Sequence, residues 1–76
     1  MPTQAHEPIE ALYLISLLDI AIKEDTGLFA QSIKLAIAQQ QPCESIIYMI
    51  ADQALDNPSK MDGMFGPELI QRILKY

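Results

Sequence analysis

The chain has 76 residues, 50% of them hydrophobic and 20% charged, with a formal net charge of −5. That hydrophobic content excludes simple disorder, which needs low hydrophobicity and high net charge. Five basic residues against ten acidic ones argue against nucleic acid and against an anionic membrane surface, because phosphate binding rests on Lys and Arg displacing counterions.

The first predicted helix begins at Pro8, since proline suits the first helical position, where its missing N–H costs nothing. Glu7 and Glu10 complement the positive end of the helix dipole. The helix should run to about Lys23 or Glu24, ahead of Gly27. Placed at 100° steps, its apolar residues form two stripes. One holds Ala11, Leu14, Ile15, Leu18 and Ile22; the other holds Ile9, Tyr13, Leu17 and Ile20. Ser16, Asp19 and Lys23 form a polar seam between them, with Leu12 its apolar exception. A surface helix ordinarily has one apolar stripe, so two imply that this helix is covered from two sides.

Helix two is predicted from about Leu28 to Gln40, with Phe29, Ile33, Ala36 and Ile37 on its main face and Leu28 and Leu35 on another. Pro42 introduces helix three, about Cys43 to Leu55, whose face is Ile46, Ile47, Ile50, Ala51 and Ala54. The stretch "DNPS", Asp56 to Ser59, reads as a stop, because Asn tolerates a left-handed cap and Pro cannot continue a helix. "SKMDGMFG" then reads as a loop with at most one helical turn, its Met61, Met64 and Phe65 folding back on the core. Gly66 and Pro67 open helix four, about Pro67 to Lys75, with Leu69, Ile70, Ile73 and Leu74 on its face. The expectation is an all-α fold: a single domain, 1–76, built as a compact bundle of about four short helices, with residues 1–7 as a flexible N-terminus.

Small size makes completion of this bundle a question. Below about 70–80 residues a single core rarely supplies more than about 3–5 kcal/mol, and small folds add a disulfide, a metal or a second subunit. Cys43 is the one cysteine and His6 the one histidine, so an internal disulfide and a closed zinc site, which takes four ligands, are both out of reach. Association with a second subunit or unusually good packing remains, and dimerisation is the expectation. Tyr13, Leu17, Ile20 and Leu28 are the expected interface; Leu14, Leu18, Ile33, Ile47, Ile50 and Ile73 are the expected core. Met61, Met64 and Phe65 offer a possible second partner surface, since Met adapts to varied surfaces, with capping of the core as the plainer role.

Catalytic constellations are thin. Cys43 lies near a helix N-terminus, where a thiolate is stabilised, but a nucleophile also wants an orienting base, and His6 sits on the N-terminal segment. Glu24, Asp25, Asp52, Asp56 and Asp62 read as solvated charge, because spacing alone converges none of them in a pocket. "MDGMFGPE" fails as a calcium loop: with Gly63 at position 6, positions 1, 3 and 12 would be Pro58, Lys60 and Leu69. A helix-turn-helix around "QQQPCES" would present Glu44, Ser45, Tyr48, Asp52 and Gln53 to DNA, acidic where phosphate contacts are needed. The main alternative is a carrier protein. Glu44, Ser45 and Ile46 loosely resemble the Asp-Ser-Leu motif of acyl and peptidyl carriers, which would make Ser45 the attachment site of a prosthetic arm; Glu replaces the Asp and no glycine precedes it. No enzymatic activity, metal or cofactor is expected.

No targeting segment is expected, since "MPTQAHEPIE" lacks the basic start of a signal peptide. "ALYLISLLDIAI" falls short of the roughly 20 apolar residues of a membrane span, and Asp19 interrupts it. A cytoplasmic location follows as the expectation.

From "KEDTGLFAQSIKLAI" through "SIIYMIADQALDNPS" to "ELIQRILKY" the layout resembles the small enterobacterial AriR-type connector proteins that regulate biofilm formation and acid resistance. Helix lengths, loop spacing, the acidic lead into helix two and the final "ILKY" are what is similar, over about Lys23 to Tyr76. Helix one departs from the pattern in being far more apolar. The resemblance implies an all-helical dimer acting through protein contacts and transfers no catalytic residue. The function expected is that of a small non-catalytic regulatory or adaptor protein, working as a homodimer or with another protein.

Overall fold

In the computed structural model, described for residues 9–76, the chain forms five helices: α1 (Ile9–Ala21), α2 (Leu28–Ala38), α3 (Cys43–Asp56), α4 (Pro58–Phe65) and α5 (Pro67–Lys75). The predicted start at Pro8, His6 and the expected flexible segment 1–7 lie outside the described residues. No strand occurs among the described residues.

The count of five rather than four corrects the sequence expectation at one place. The stretch expected to be a loop is the eight-residue helix α4. Asn57 closes α3 by donating its N–H to the Gln53 carbonyl at 2.7 Å, and its own carbonyl accepts the Met61 N–H at 3.3 Å to open α4. Gly66 repeats the device nine residues later. Its N–H donates to the Asp62 carbonyl at 2.8 Å and its carbonyl accepts from Ile70 at 3.1 Å. In both cases a proline follows at the first helical position, where it has no intrahelical N–H partner to lose. "NP" and "GP" therefore each stop one helix and start the next within a single residue.

Helix α3 is the central element, packed against each of the other four. Its Ile46, Ile47, Ile50 and Ala54 are buried, as expected from their spacing. Around them lie Ala11, Leu14, Leu18 and Ile22 from α1 and the turn after it, Ala30, Ile33 and Ala36 from α2, Met61 and Phe65 from α4, and Ile70 and Ile73 from α5. All six residues expected in the core are buried. No polar or charged side chain is buried among the described residues, so the side chains that fill their core are all apolar.

Two side-chain contacts and one backbone turn finish the connections. Lys34 of α2 reaches back to the turn that follows α1, its Nζ donating to the Asp25 carbonyl at 2.7 Å and the Lys23 carbonyl at 3.2 Å. It satisfies backbone carbonyls of that turn. Asp25 Oδ1 accepts the Gly27 N–H at 2.8 Å and shapes the entry to α2. At the other end of α2, Gln41 N–H bonds the Ala36 carbonyl and Gln40 N–H the Ile37 carbonyl. This is the Schellman pairing of a helix C-terminus, with Gln40 held at φ 59° where glycine is usual.

Candidate functional site

The two stripes of α1 have different fates. The first is inside: Ala11, Leu14, Leu18 and Ile22 are fully buried and Ile15 packs beside them. The second faces out. Ile20 is 71% exposed and Tyr13 49%, while Leu17 is half-buried between them. In the polar seam Ser16 Oγ donates to the Leu12 carbonyl at 3.1 Å, and Asp19 and Lys23 are exposed. Helices α3, α4 and α5 thus cover one side of α1 and leave most of the second stripe exposed.

That stripe forms one wall of a groove of about 680 Å³, with Tyr13, Leu17 and Ile20 along α1 and Gly66, Pro67, Glu68, Leu69 and Arg72 opposite. Phe65, at the end of α4, also lines it. The helices run antiparallel here. Glu10 and Tyr13, early in α1, lie against Arg72, late in α5.

Arg72 organises that end of the groove. Its guanidinium carbon stands 5.0 Å from the centre of the Tyr13 ring, within the range of a cation–π contact. Its Nη2 donates to Glu10 Oε2 at 3.2 Å. Its contact with Tyr13 raises the Arg72 pKa above its ordinary value, with Glu10 adding to the rise and desolvation opposing it. Arginine is charged at all physiological pH, so the rise changes no protonation state. Both partners of the ion pair remain about half exposed, which makes it a positioning contact rather than a large source of stability.

Three of the four expected interface residues, Tyr13, Leu17 and Ile20, meet in this groove. Leu28 does not line it; it stands at the start of α2, 90% exposed. Arg72, Glu68 and Glu10 escape sequence reasoning. Glu10 and Arg72 are 62 positions apart, and only the docking of α5 on α1 joins them.

The proposed partner surface at Met61, Met64 and Phe65 belongs to a helix. Met61 and Phe65 occupy one face, i and i+4, and are buried; Met64 packs half-buried against the same core. This geometry is that of the capping role.

The remaining candidates are dispersed. Cys43 is half-buried at the start of α3 beside a small apolar hollow shared with Ile15, Ile37 and Ile46. Glu44 accepts the Tyr76 hydroxyl hydrogen bond at 3.1 Å, and Tyr76 rests against the Tyr48 ring with centroids 6.2 Å apart. Ser45 is exposed in the first turn of α3. Glu24, Asp52, Asp56 and Asp62 are exposed and Asp25 is half-buried. Among the described residues no three His, Cys, Asp or Glu side chains cluster as metal ligands would. No helix formed by the described residues is long and apolar enough to cross a membrane.

Comparisons of this chain with protein-family models, with curated proteins and with solved structures return no match.

Proposed function

We propose that this chain is a small non-catalytic regulatory or adaptor protein that works in the cytoplasm through protein–protein contacts, as a homodimer. The observation that supports it is the outward stripe of α1. Tyr13, Leu17 and Ile20 line an open groove while the inner stripe of the same helix already fills the core. Obligate interfaces resemble a domain core cut in half, and apolar residues spaced for burial yet left in water fit that description. The resemblance to AriR-type connectors points the same way.

Sedimentation velocity of the purified chain tests it. The wild type should sediment as a dimer at micromolar concentration. Leu17→Asp should sediment as a monomer with its helical circular dichroism retained, because Leu17 lies at the margin of the core rather than inside it. A Leu17→Asp protein that still sediments as the wild-type oligomer sinks the interface assignment.

A further inference from the structure

The groove carries charge in a pattern that says what covers it. Glu68 and Arg72 lie one turn apart on α5, and both line the groove. Residues at i and i+4 share a helix face, so the acid and the base stand in line along one wall. The ends of the groove differ accordingly. One holds Tyr13 with Arg72, the other Ile20 with Glu68. Glu68 makes no ion pair or hydrogen bond through its side chain among the described residues. Arg72 spends only Nη2 on Glu10, and a guanidinium carries five donors.

A surface with an acid at one end and a base at the other is complementary to itself when turned by two-fold rotation. In such an isologous contact residue i meets residue j and j meets i. We infer that the occupant of the groove is a second copy of this chain, docked antiparallel about a two-fold axis near Leu17 and Leu69, so that Glu68 of each copy pairs with Arg72 of the other. The same rotation lays the Tyr13 end of one copy on the Ile20 end of the second and closes Leu17 and Leu69 around the axis. Glu10 stays in its own chain and holds Arg72 in position. This register rests on the homodimer proposed above and specifies which residues set it.

Charge reversal in native mass spectrometry tests the register. Glu68→Arg gives a groove with two bases, and Arg72→Glu one with two acids. Each variant alone should dimerise at least tenfold more weakly than the wild type, since like charges brought face to face across an interface are strongly disfavoured. Mixed in equal amounts, the two variants should form a heterodimer of intermediate mass, because every base then faces an acid. Heterodimer formation also shows that both variants fold. Adding salt should weaken the heterodimer. A wild-type dimer whose affinity both reversals leave unchanged, or variants that fail to pair when mixed, overturns this register and leaves the homodimer standing. A wild-type chain that stays monomeric up to high micromolar concentration overturns the homodimer itself, and one that is monomeric alone but binds a different protein through this groove overturns the second copy as its occupant.

Discussion

Arg72 covers the Tyr13 ring, with its guanidinium carbon 5.0 Å from the ring centre, and so ties the last helix of the chain to the first. The contact sits at one end of the α1–α5 groove and keeps an aromatic face and a charge side by side on the surface. It places a residue that α1 leaves outside the core next to the one basic residue among the described residues that line that groove.

The two glycines of the α4 region should respond in opposite directions. Gly63 lies within α4, and a methyl group there would meet nothing within 4 Å. Gly63→Ala should raise stability by about 0.5–1 kcal/mol by removing backbone freedom from the unfolded chain. Gly66 also has open space around it, but its φ of 89° and ψ of 144° lie where side-chain-bearing residues are strained. Gly66→Ala should cost about 1–3 kcal/mol. Thermal melts of the two variants read the contrast directly, and equal melting temperatures would refute it.

Gln40 holds a left-handed conformation, φ 59°, to close α2. Residues with a Cβ lose about 1–2 kcal/mol in that region relative to glycine. Gln40→Gly should therefore stabilise the protein by about 1 kcal/mol, seen as a higher urea midpoint with an unchanged slope. A lower midpoint would show that the Gln40 side chain makes a compensating contact.

Lys34 should be worth more than its place on the surface suggests. Its ammonium donates to two carbonyls of the turn between α1 and α2. Lys34→Met keeps the aliphatic stem and removes the donors, and should cost about 1.5 kcal/mol, the lower range for hydrogen bonds from charged groups. Hydrogen exchange at the amides of residues 22–25 should quicken more than exchange in α5. Uniform quickening across the chain would argue for a global effect rather than a local one.

Phe65 and Met64 separate core from surface within one helix. Phe65→Ser should leave the chain largely unfolded at 25 °C, because truncating a buried Phe costs about 3–5 kcal/mol, close to what a core this small supplies. Met64→Ser, at a half-buried site, should fold and melt at a lower temperature. If Phe65→Ser melts like the wild type, α4 is not packed as described.

Much of the fold was legible in the sequence. The 3.6-residue spacing of Ile46, Ile47, Ile50 and Ala54 identified the buried face of α3, and that of Leu14 and Leu18 the inner stripe of α1. Prolines marked α3 and α5 correctly: Pro67 fits the first helical turn of α5, where its fixed φ suits a helix and its missing N–H costs nothing, and Pro42 stands just before α3 as its N-cap. The same residue type caused the main error. Asn57-Pro58 reads as a terminator because proline ends the helix before it, yet the next helix starts at that proline. Gly63 and the mixed polarity of "PSKMDGMF" concealed α4, a helix held by the burial of Met61 and Phe65 more than by its own propensity.

What the sequence by itself determined is local: which residues are helical, where most helices stop, and that α1 carries apolar residues on two sides. Periodicity assigns residues to a stripe but does not say which stripe a neighbouring helix will cover. Only the tertiary structure decided that α3, α4 and α5 close over Leu14 and Leu18 and leave Tyr13 and Ile20 in water. It alone brought Glu10 and Arg72 together across 62 positions. The reason is that burial is a property of pairs of surfaces, and the partner of each surface lies elsewhere in the chain.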